Sequence, residues 1–467
     1  MKLHKYIFIN GLESNSASPT DIWICRYKNR QYIMKVFIQK SSDKEIQKKN
    51  IAFHSKLLKH EMNLYKQVKG ARNILGLYDF ISNISFEQLL TFLISGECTL
   101  PKRVLSYNLC TNLNYMLTNK ENRPSITNKI FKTSSGHMIN FQQLNEKDIK
   151  DIFYDNFPCA LNNKNISFDS HFKYSIIITR YHQAPTLATY VDRFLSSKQT
   201  TAERKDFIKK ISLYTVILMI TCLEDLKYKK INQNDLHFGN ILLPSNDLYY
   251  LNTYITMYKK NILCIHSPIR PIIFDFDRGT EEGKYKLPTK EWNINGQCEE
   301  YHPLRDVLKL LCSYISILSI LCSKVKSNKK EYNEYNSLKY RLLDSMFYPV
   351  PESKQFIDII LESHKYACFF DTPQGISLLC EKTLLNDTIK NEFNDAFVLL
   401  LNQCKDYIKP LSMENIEDIT YNIANEIYAR VPNDNEEIDT YIKDNVHTNN
   451  KIYKKISDYI YINIDKK

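Results

Sequence analysis

Glycine is scarce in this chain, ten residues in 467. Motifs that rely on glycine to reach left-handed backbone are weakened accordingly. The twelve cysteines contain no C-x-x-C pair, and no N-terminal apolar segment with a small-residue cleavage site precedes them. Neither a zinc ribbon nor a disulfide framework is indicated, and a reduced, intracellular, cytoplasmic protein is expected. The longest apolar runs, ISLYTVILMITCL and VLKLLCSYISILSILC, fall short of the roughly 18 residues that a bilayer span needs. Charged residues flank both runs, so they are expected as buried helices, with no transmembrane segment. An Arg-rich block and an aromatic platform are also missing. The net charge of +11 comes from lysines spread along the chain, which implies a solvated basic surface rather than a nucleic-acid partner. No internal repeat is present.

What is present has ordinary globular composition, 43% hydrophobic and 25% charged, in a chain too long for one typical core. Two lobes are expected. The segment DIWICRYKNRQYIMKVF, residues 21–37, alternates apolar and polar positions around the turn KNR and predicts an antiparallel hairpin. Lys44 to Val68 carries Ile51, Leu57, Leu58, Met62 and Tyr65 at helical spacing, with Gly70 as a stop. NILGLYDFI and YSIIITRY predict strands, separated by a polar, Asn/Lys-rich insertion over about 82–171. Residues 203–226 predict a helix, a second insertion covers about 244–267, PIIFDFD predicts a strand, and helical patterns dominate from Pro303 onward. The expected organisation is an N-lobe over 1–181, a C-lobe over 182–415 and a peripheral C-terminal extension over 416–467.

The chemistry sits in QNDLHFGNILL and IIFDFD. An Asp on a polar loop, an Asn five residues later, a strand, and a second Asp ending another apolar strand give oxygen groups from two β-elements. Phosphoryl transfer needs such a set: one carboxylate to orient and deprotonate a hydroxyl, and hard oxygen ligands for Mg²⁺ on nucleotide phosphates. Asp235 suits the first role, Asn240 and Asp275 the second. Alone, D-x-x-x-x-N is a weak pattern, and a turn carboxylate is the plainer reading of Asp235. The order of features adds weight: Lys35 stands upstream on the second strand of the hairpin, and Glu61 on the following helix is a carboxylate placed to fix it.

In order, YIMKVF, HEMNLYKQV, QNDLHFGNILL and IIFDFD resemble the strand lysine, helix glutamate, catalytic loop and metal loop of the protein kinase-like superfamily. The resemblance covers roughly Ile7 to Cys322. It implies an α+β, bilobal protein kinase-like fold with a β-rich N-lobe, a mainly helical C-lobe with insertions, and ATP in the cleft between them. Glu61 is preferred to Glu45 because NILGLYDF begins about a dozen residues after it. The resemblance places Thr179 near the gatekeeper and Arg180 to His182 as the hinge, where Arg180 and Tyr181 would meet adenine through backbone hydrogen bonds. Asp306 matches the Asp that opens a buried helix and organises the catalytic loop, a structural role.

The departures are specific. NSASPTDI stands where a glycine-rich phosphate loop is expected, with Asn15, Ala17 and Thr20 at glycine positions and Ile22 at the valine position. Asn15, Ser16, Ala17 and Ile22 are the corresponding nucleotide contacts, with Gly11 contributing if the register differs. Gln233 and Asn234 replace the usual His and Arg before the catalytic Asp, which removes the partner of an activation-loop phosphate. His237 replaces a lysine that balances transferred-phosphate charge, Asp277 replaces the last glycine of the metal loop, and no A-P-E follows. DLHFGN also resembles the loops of haspin-like, aminoglycoside and choline kinases, and IIFDFDRGT that of bacterial sugar-lipid kinases. The resulting expectation is an ATP- and Mg²⁺-dependent serine/threonine protein kinase acting on a protein substrate, similar to divergent kinases of large DNA viruses, for which host cytoplasm or virion is the location. The alternatives are a small-molecule kinase for a sugar or aminoglycoside, and a pseudokinase scaffold.

Overall fold

The computed structural model describes residues 3–12, 21–40, 52–85, 88–89, 92, 130–132, 138–140, 173–244, 253–258, 261–283, 300–362, 373–390, 392–411, 418 and 447–448. The chain is mixed α and β, with a sheet in its N-terminal part and mostly helices later. It divides into two units, Met1–Lys66 with Gly76–His182, and Gln67–Leu75 with Gln183–Lys467.

The first unit is built from strands β1 (Ile7–Leu12), β2 (Asp21–Tyr27) and β3 (Arg30–Lys40), helix α1 (Ala52–Gln67) and strand β4 (Leu77–Ser85). A small hairpin, β5 (Ile130–Lys132) and β6 (Met138–Asn140), precedes β7 (Lys173–Arg180). The main sheet runs β1-β2-β3-β7-β4, every neighbouring pair antiparallel. The predicted hairpin is present: Tyr27 pairs with Arg30 across a two-residue turn, in which Lys28 takes a φ of 54°. Such positive φ suits the right-handed twist of the strands it joins. In β7 every residue from Tyr174 to Thr179 is buried, as expected of an interior strand whose two faces are covered. The helix predicted over 44–68 is described from Ala52 and ends at Gln67, with Gly70 at φ 79° just beyond.

The insertion predicted from residue 82 starts inside the core. β4 continues to Ser85, Leu89 and Phe92 are buried, and the Phe92 ring stacks on Trp23 with centroids 6.2 Å apart. Most of the remainder, to residue 171, lies outside the described residues.

The second unit is helical around two long, buried helices. It contains α2 (Leu187–Ser196), α3 (Thr201–Ile220), α4 (Cys222–Lys229), β8 (Ile231–Asn232), β9 (Ile241–Leu242), β10 (Thr253–Tyr258), β11 (Asn261–His266), β12 (Ile272–Ile273) and β13 (Thr280–Glu281). There follow α5 (Arg305–Lys324), α6 (Lys329–Met346), α7 (Pro351–Glu362), α8 (Pro373–Cys380), α9 (Lys382–Thr388), α10 (Asn394–Gln403), β14 (Ile408–Leu411) and β15 (His447–Thr448). The single helix predicted over 203–226 is two: Thr221 leaves helical geometry at φ −117° and ψ −98°, while its hydroxyl donates back to Ile217 O at 2.6 Å. Such back-bonding competes with the helix ladder.

Both long apolar runs are core helices. α5 is long and apolar enough to cross a membrane by length and composition, yet 78% of that stretch is buried inside the fold. A capping box of Thr200 and Glu203 starts α3, and the Ser212 and Tyr314 hydroxyls join α3 to α5 at 2.7 Å. Within the segment predicted as an insertion over 244–267, the described residues include β10 and β11. The β10–β11 hairpin is the centre of a four-stranded sheet, β14-β11-β10-β15, whose outer strands come from far along the chain. β15 belongs to the segment expected as a peripheral extension, most of which lies outside the described residues. Cys380 is disulfide-bonded, which corrects the expectation of a fully reduced chain, whereas Cys25, Cys222, Cys264, Cys312, Cys322 and Cys404 are free and buried.

Glu331, buried on α6, ties that helix to α3 through Arg204 Nε at 2.6 Å and Nη2 at 2.8 Å, and also accepts from Thr201 and Tyr335. The Arg204 hydrogen bond, working against burial, holds its carboxyl at about 2 rather than 4.5. A depressed carboxyl contributes stability that is complete above the unfolded value and is lost as pH falls through the folded one. Glu331→Gln is therefore expected to cost about 3 kcal/mol at neutral pH. In thermal melts, the gap between wild type and variant should close as pH falls from 4.5 towards about 2.

Candidate functional site

The loop with Asp235 is shaped from below by the first turns of α5. Asp306 is buried, and its carboxylate accepts the Gln233 N–H at 2.7 Å, the Asn234 N–H at 3.0 Å and the Asn232 side-chain amide at 3.3 Å. Burial pushes this carboxyl up, and those N–H bonds and Arg305 oppose the push. The neighbouring turn adds cations: Arg305 Nη1 donates to the side-chain oxygens of Asn232 and Asn234, each at 3.2 Å, and Lys309 Nζ to Asn234 O at 2.7 Å. Residues 305 and 309 are one helical turn apart, so they serve the same loop. Burial brings the Arg305 guanidinium down to about 10.

A second segment faces the loop. β8 pairs with β13 and β9 with β12, so residues 233–240 and 274–279 form two turns between the same pair of short ladders. Gln233 Nε2 donates to Asp275 O at 2.6 Å, Phe274 N to Asn240 O at 3.1 Å, and Asn234 Nδ2 to Arg278 O and Thr280 Oγ1, both at 3.0 Å. Asn234 and Asp275 each take a φ of 62°. For residues with a Cβ such backbone costs about 1 kcal/mol or more, and it persists only where the surroundings over-determine it. The hydrogen bonds above do so at both positions.

Within this frame Asp235 and Asn240 meet directly. Asn240 Nδ2 donates to Asp235 O at 2.9 Å and to Asp235 Oδ2 at 3.3 Å. The amide nitrogen is the end of the Asn240 side chain engaged by Asp235. Asp235 also receives Arg278 Nη1 on Oδ1 at 3.2 Å and has His237 Nε2 3.7 Å from Oδ2. Burial alone would raise its carboxyl. The adjacent His237 imidazole and the charges of Lys309 and Arg278 outweigh burial and hold it at about 2, below an ordinary 3.8. His237 is itself oriented: Gly239 N–H donates to its Nδ1 at 2.9 Å. A Cβ at 239 would stand 2.6 Å from His237 Cε1 and 2.8 Å from Nδ1, so glycine there lets the imidazole lie against the backbone.

In the first unit, Lys35 and Glu61 form an ion pair, Nζ to Oε2 3.2 Å and to Oε1 3.3 Å, with Glu61 fully buried on α1. Lys35 lies opposite Ile22 on one side and Ile177 on the other in the sheet register. Arg180 closes β7 opposite Tyr32, and the Tyr181 N–H donates to Gln31 O at 3.1 Å. That N–H is thus engaged within the sheet, which narrows the expected adenine contacts to the other backbone groups of the segment. Asn15, Ser16 and Ala17 fall outside the described residues.

The predicted residues accordingly form two groups: Lys35 with Glu61 and Ile22 in one unit, and Asp235 with Asn240 in the other, where the main chain of Asp275 is fastened to Gln233. Sequence reasoning missed Arg278, Arg305 and Lys309. The last two had a legible mark, charged residues next to Asp306 at the head of an apolar run; nothing in spacing marked Arg278. No protein-family model matches the chain, and no curated protein matches it significantly.

Two substitutions test the frame. Asp306→Asn turns one oxygen into a donor that faces a backbone N–H, an expected cost of about 1–3 kcal/mol. Hydrogen exchange at the Gln233 and Asn234 amides should accelerate, and unchanged protection there would exclude the role given to Asp306. Gly239→Ala should displace the imidazole of His237, seen as a changed ring resonance assigned with His237→Ala, and should destabilise by about 1–3 kcal/mol.

Proposed function

We propose that the chain is a magnesium-dependent phosphotransferase using ATP, with a bilobal protein kinase-like fold, and that its acceptor is a serine or threonine hydroxyl of a protein. The observation that carries this reading is the Asp235–Asn240 contact across five residues, on a loop bonded through Gln233 to the main chain of Asp275. An Asp with its carboxyl at about 2 is ionised at neutral pH. It orients a hydroxyl well and is a weak base. Phosphoryl transfer with a loose transition state asks for positioning and charge stabilisation more than for strong base catalysis.

The donor set fits a hard divalent cation. Asn240, with its amide nitrogen engaged on Asp235, offers its oxygen, and Asp275 offers a carboxylate on a turn held in left-handed backbone. Magnesium bound there would neutralise charge on the nucleotide phosphates. Lys35, oriented by buried Glu61, is the proposed cation for those phosphates; Ile22, Arg180 and Tyr181, with 15–17, are the proposed nucleotide contacts. Asp235 aligns the acceptor hydroxyl and takes its proton. A scaffold without activity has no physical need for a strained loop that sets an ionised Asp against an Asn amide, which weighs against the pseudokinase alternative.

The test is phosphate transfer from ATP with magnesium onto casein, and separately onto aminoglycosides and sugars. Asp235→Asn should lower kcat by a factor of about 100 to 10,000 with nucleotide affinity retained. Asp275→Ala should abolish turnover in a folded protein, Lys35→Met should weaken nucleotide binding, and chelation of magnesium should stop the reaction. Undiminished turnover in both aspartate variants overturns the reading. Transfer to small hydroxyl compounds alone replaces the protein acceptor by a small-molecule one.

A further inference from the structure

Lys309, His237 and Arg278 all act on Asp235, and they are not equivalent. Lys309 is buried and its ammonium holds Asn234 O. His237 accepts the Gly239 N–H on Nδ1, and its Nε2 stands 3.7 Å from Asp235 Oδ2. Arg278 differs from both. Its guanidinium reaches Asp235 Oδ1 at 3.2 Å while 34% of its side chain is exposed, and its own main chain is anchored, Arg278 O accepting from Asn234 Nδ2. An anchored backbone with a part-exposed side chain whose guanidinium lies on the carboxylate is the geometry of a group that can engage something bound beside Asp235.

We propose that Arg278 is a catalytic residue whose guanidinium binds the transferring phosphoryl group beside Asp235; this rests on the phosphotransferase reading above. The acceptor oxygen forms its bond to the γ-phosphorus of the nucleoside triphosphate as the bond to the β,γ-bridging oxygen breaks. The electron pair leaves with the diphosphate, and the acceptor's proton passes to Asp235. Negative charge lies on the three equatorial phosphoryl oxygens throughout. A planar guanidinium matches two such oxygens at once. His237 stands two residues after Asp235, where the resembling kinases have lysine, and Arg278 brings a permanent cation to the same carboxylate from the opposite turn.

The experiment uses the full chain with ATP and magnesium, casein and water being the two acceptors measured. Arg278→Ala should lower kcat about 100-fold, with the KM for ATP within about 3-fold of wild type. Arg278→Lys should recover to within about 10-fold of wild type, and millimolar guanidinium should partly restore Arg278→Ala but not Asp235→Asn. If Arg278→Ala keeps wild-type kcat while Asp235→Asn and Asp275→Ala lose it, this inference fails and the phosphotransferase reading stands. A loss that tracks a lowered melting temperature, with no response to guanidinium or to lysine, makes Arg278 a tether of the turn and also overturns the inference. No turnover in wild type, or turnover indifferent to both aspartates, removes the reading and this inference together.

Discussion

The Asp306 carboxylate, under the loop of residues 232–234, is the constraint on which the candidate site depends. It sits in the first turn of α5, where a negative charge complements the helix dipole. From there it accepts two consecutive main-chain N–H groups, which fixes the loop's path more firmly than one contact would. With Arg305 and Lys309 it makes the start of the most buried helix in the second unit the base on which the polar loop rests. The hydrophobic core thus determines where the polar chemistry is placed.

Left-handed backbone at Asn234 and Asp275 is the cost of aiming the loop and the turn over 274–279 at each other. In a glycine-poor chain these conformations fall to Asn and Asp, the residues that tolerate them best. Both also use their positions. Asn234 joins its own amide to the opposite turn, and Asp275 offers its carbonyl to Gln233. Each strained residue is therefore a point of attachment, and the strain and the hydrogen bonds that hold it occur together.

Much of this was legible in sequence because it was local or periodic. The hairpin of β2 and β3 followed from alternation around a polar turn, and α3 and α5 from long apolar runs. Lys35 and Glu61 were matched by element order, and they form an ion pair. What escaped was long-range. Gln233 meets the carbonyl of Asp275, Arg278 meets Asp235 across 43 positions, and neither contact has any periodic signature. The break at Thr221 that divides a predicted helix also has no mark in helical spacing. The pairing of β10 and β11 with β15 and β14 also escaped, because those partners lie more than a hundred residues downstream.

That sheet has a consequence for how the second unit is assembled. β10 pairs in parallel with His447–Thr448, and Leu75 near the other end of the unit donates its N–H to Ile273 O. Joining strands so distant along the polypeptide closes large loops, a slow step in folding. A nascent chain leaving the ribosome would hold β10 with one edge open until residue 448 emerged. Over that interval the exposed edge is a place where a chaperone would bind, or a neighbouring nascent chain would pair wrongly.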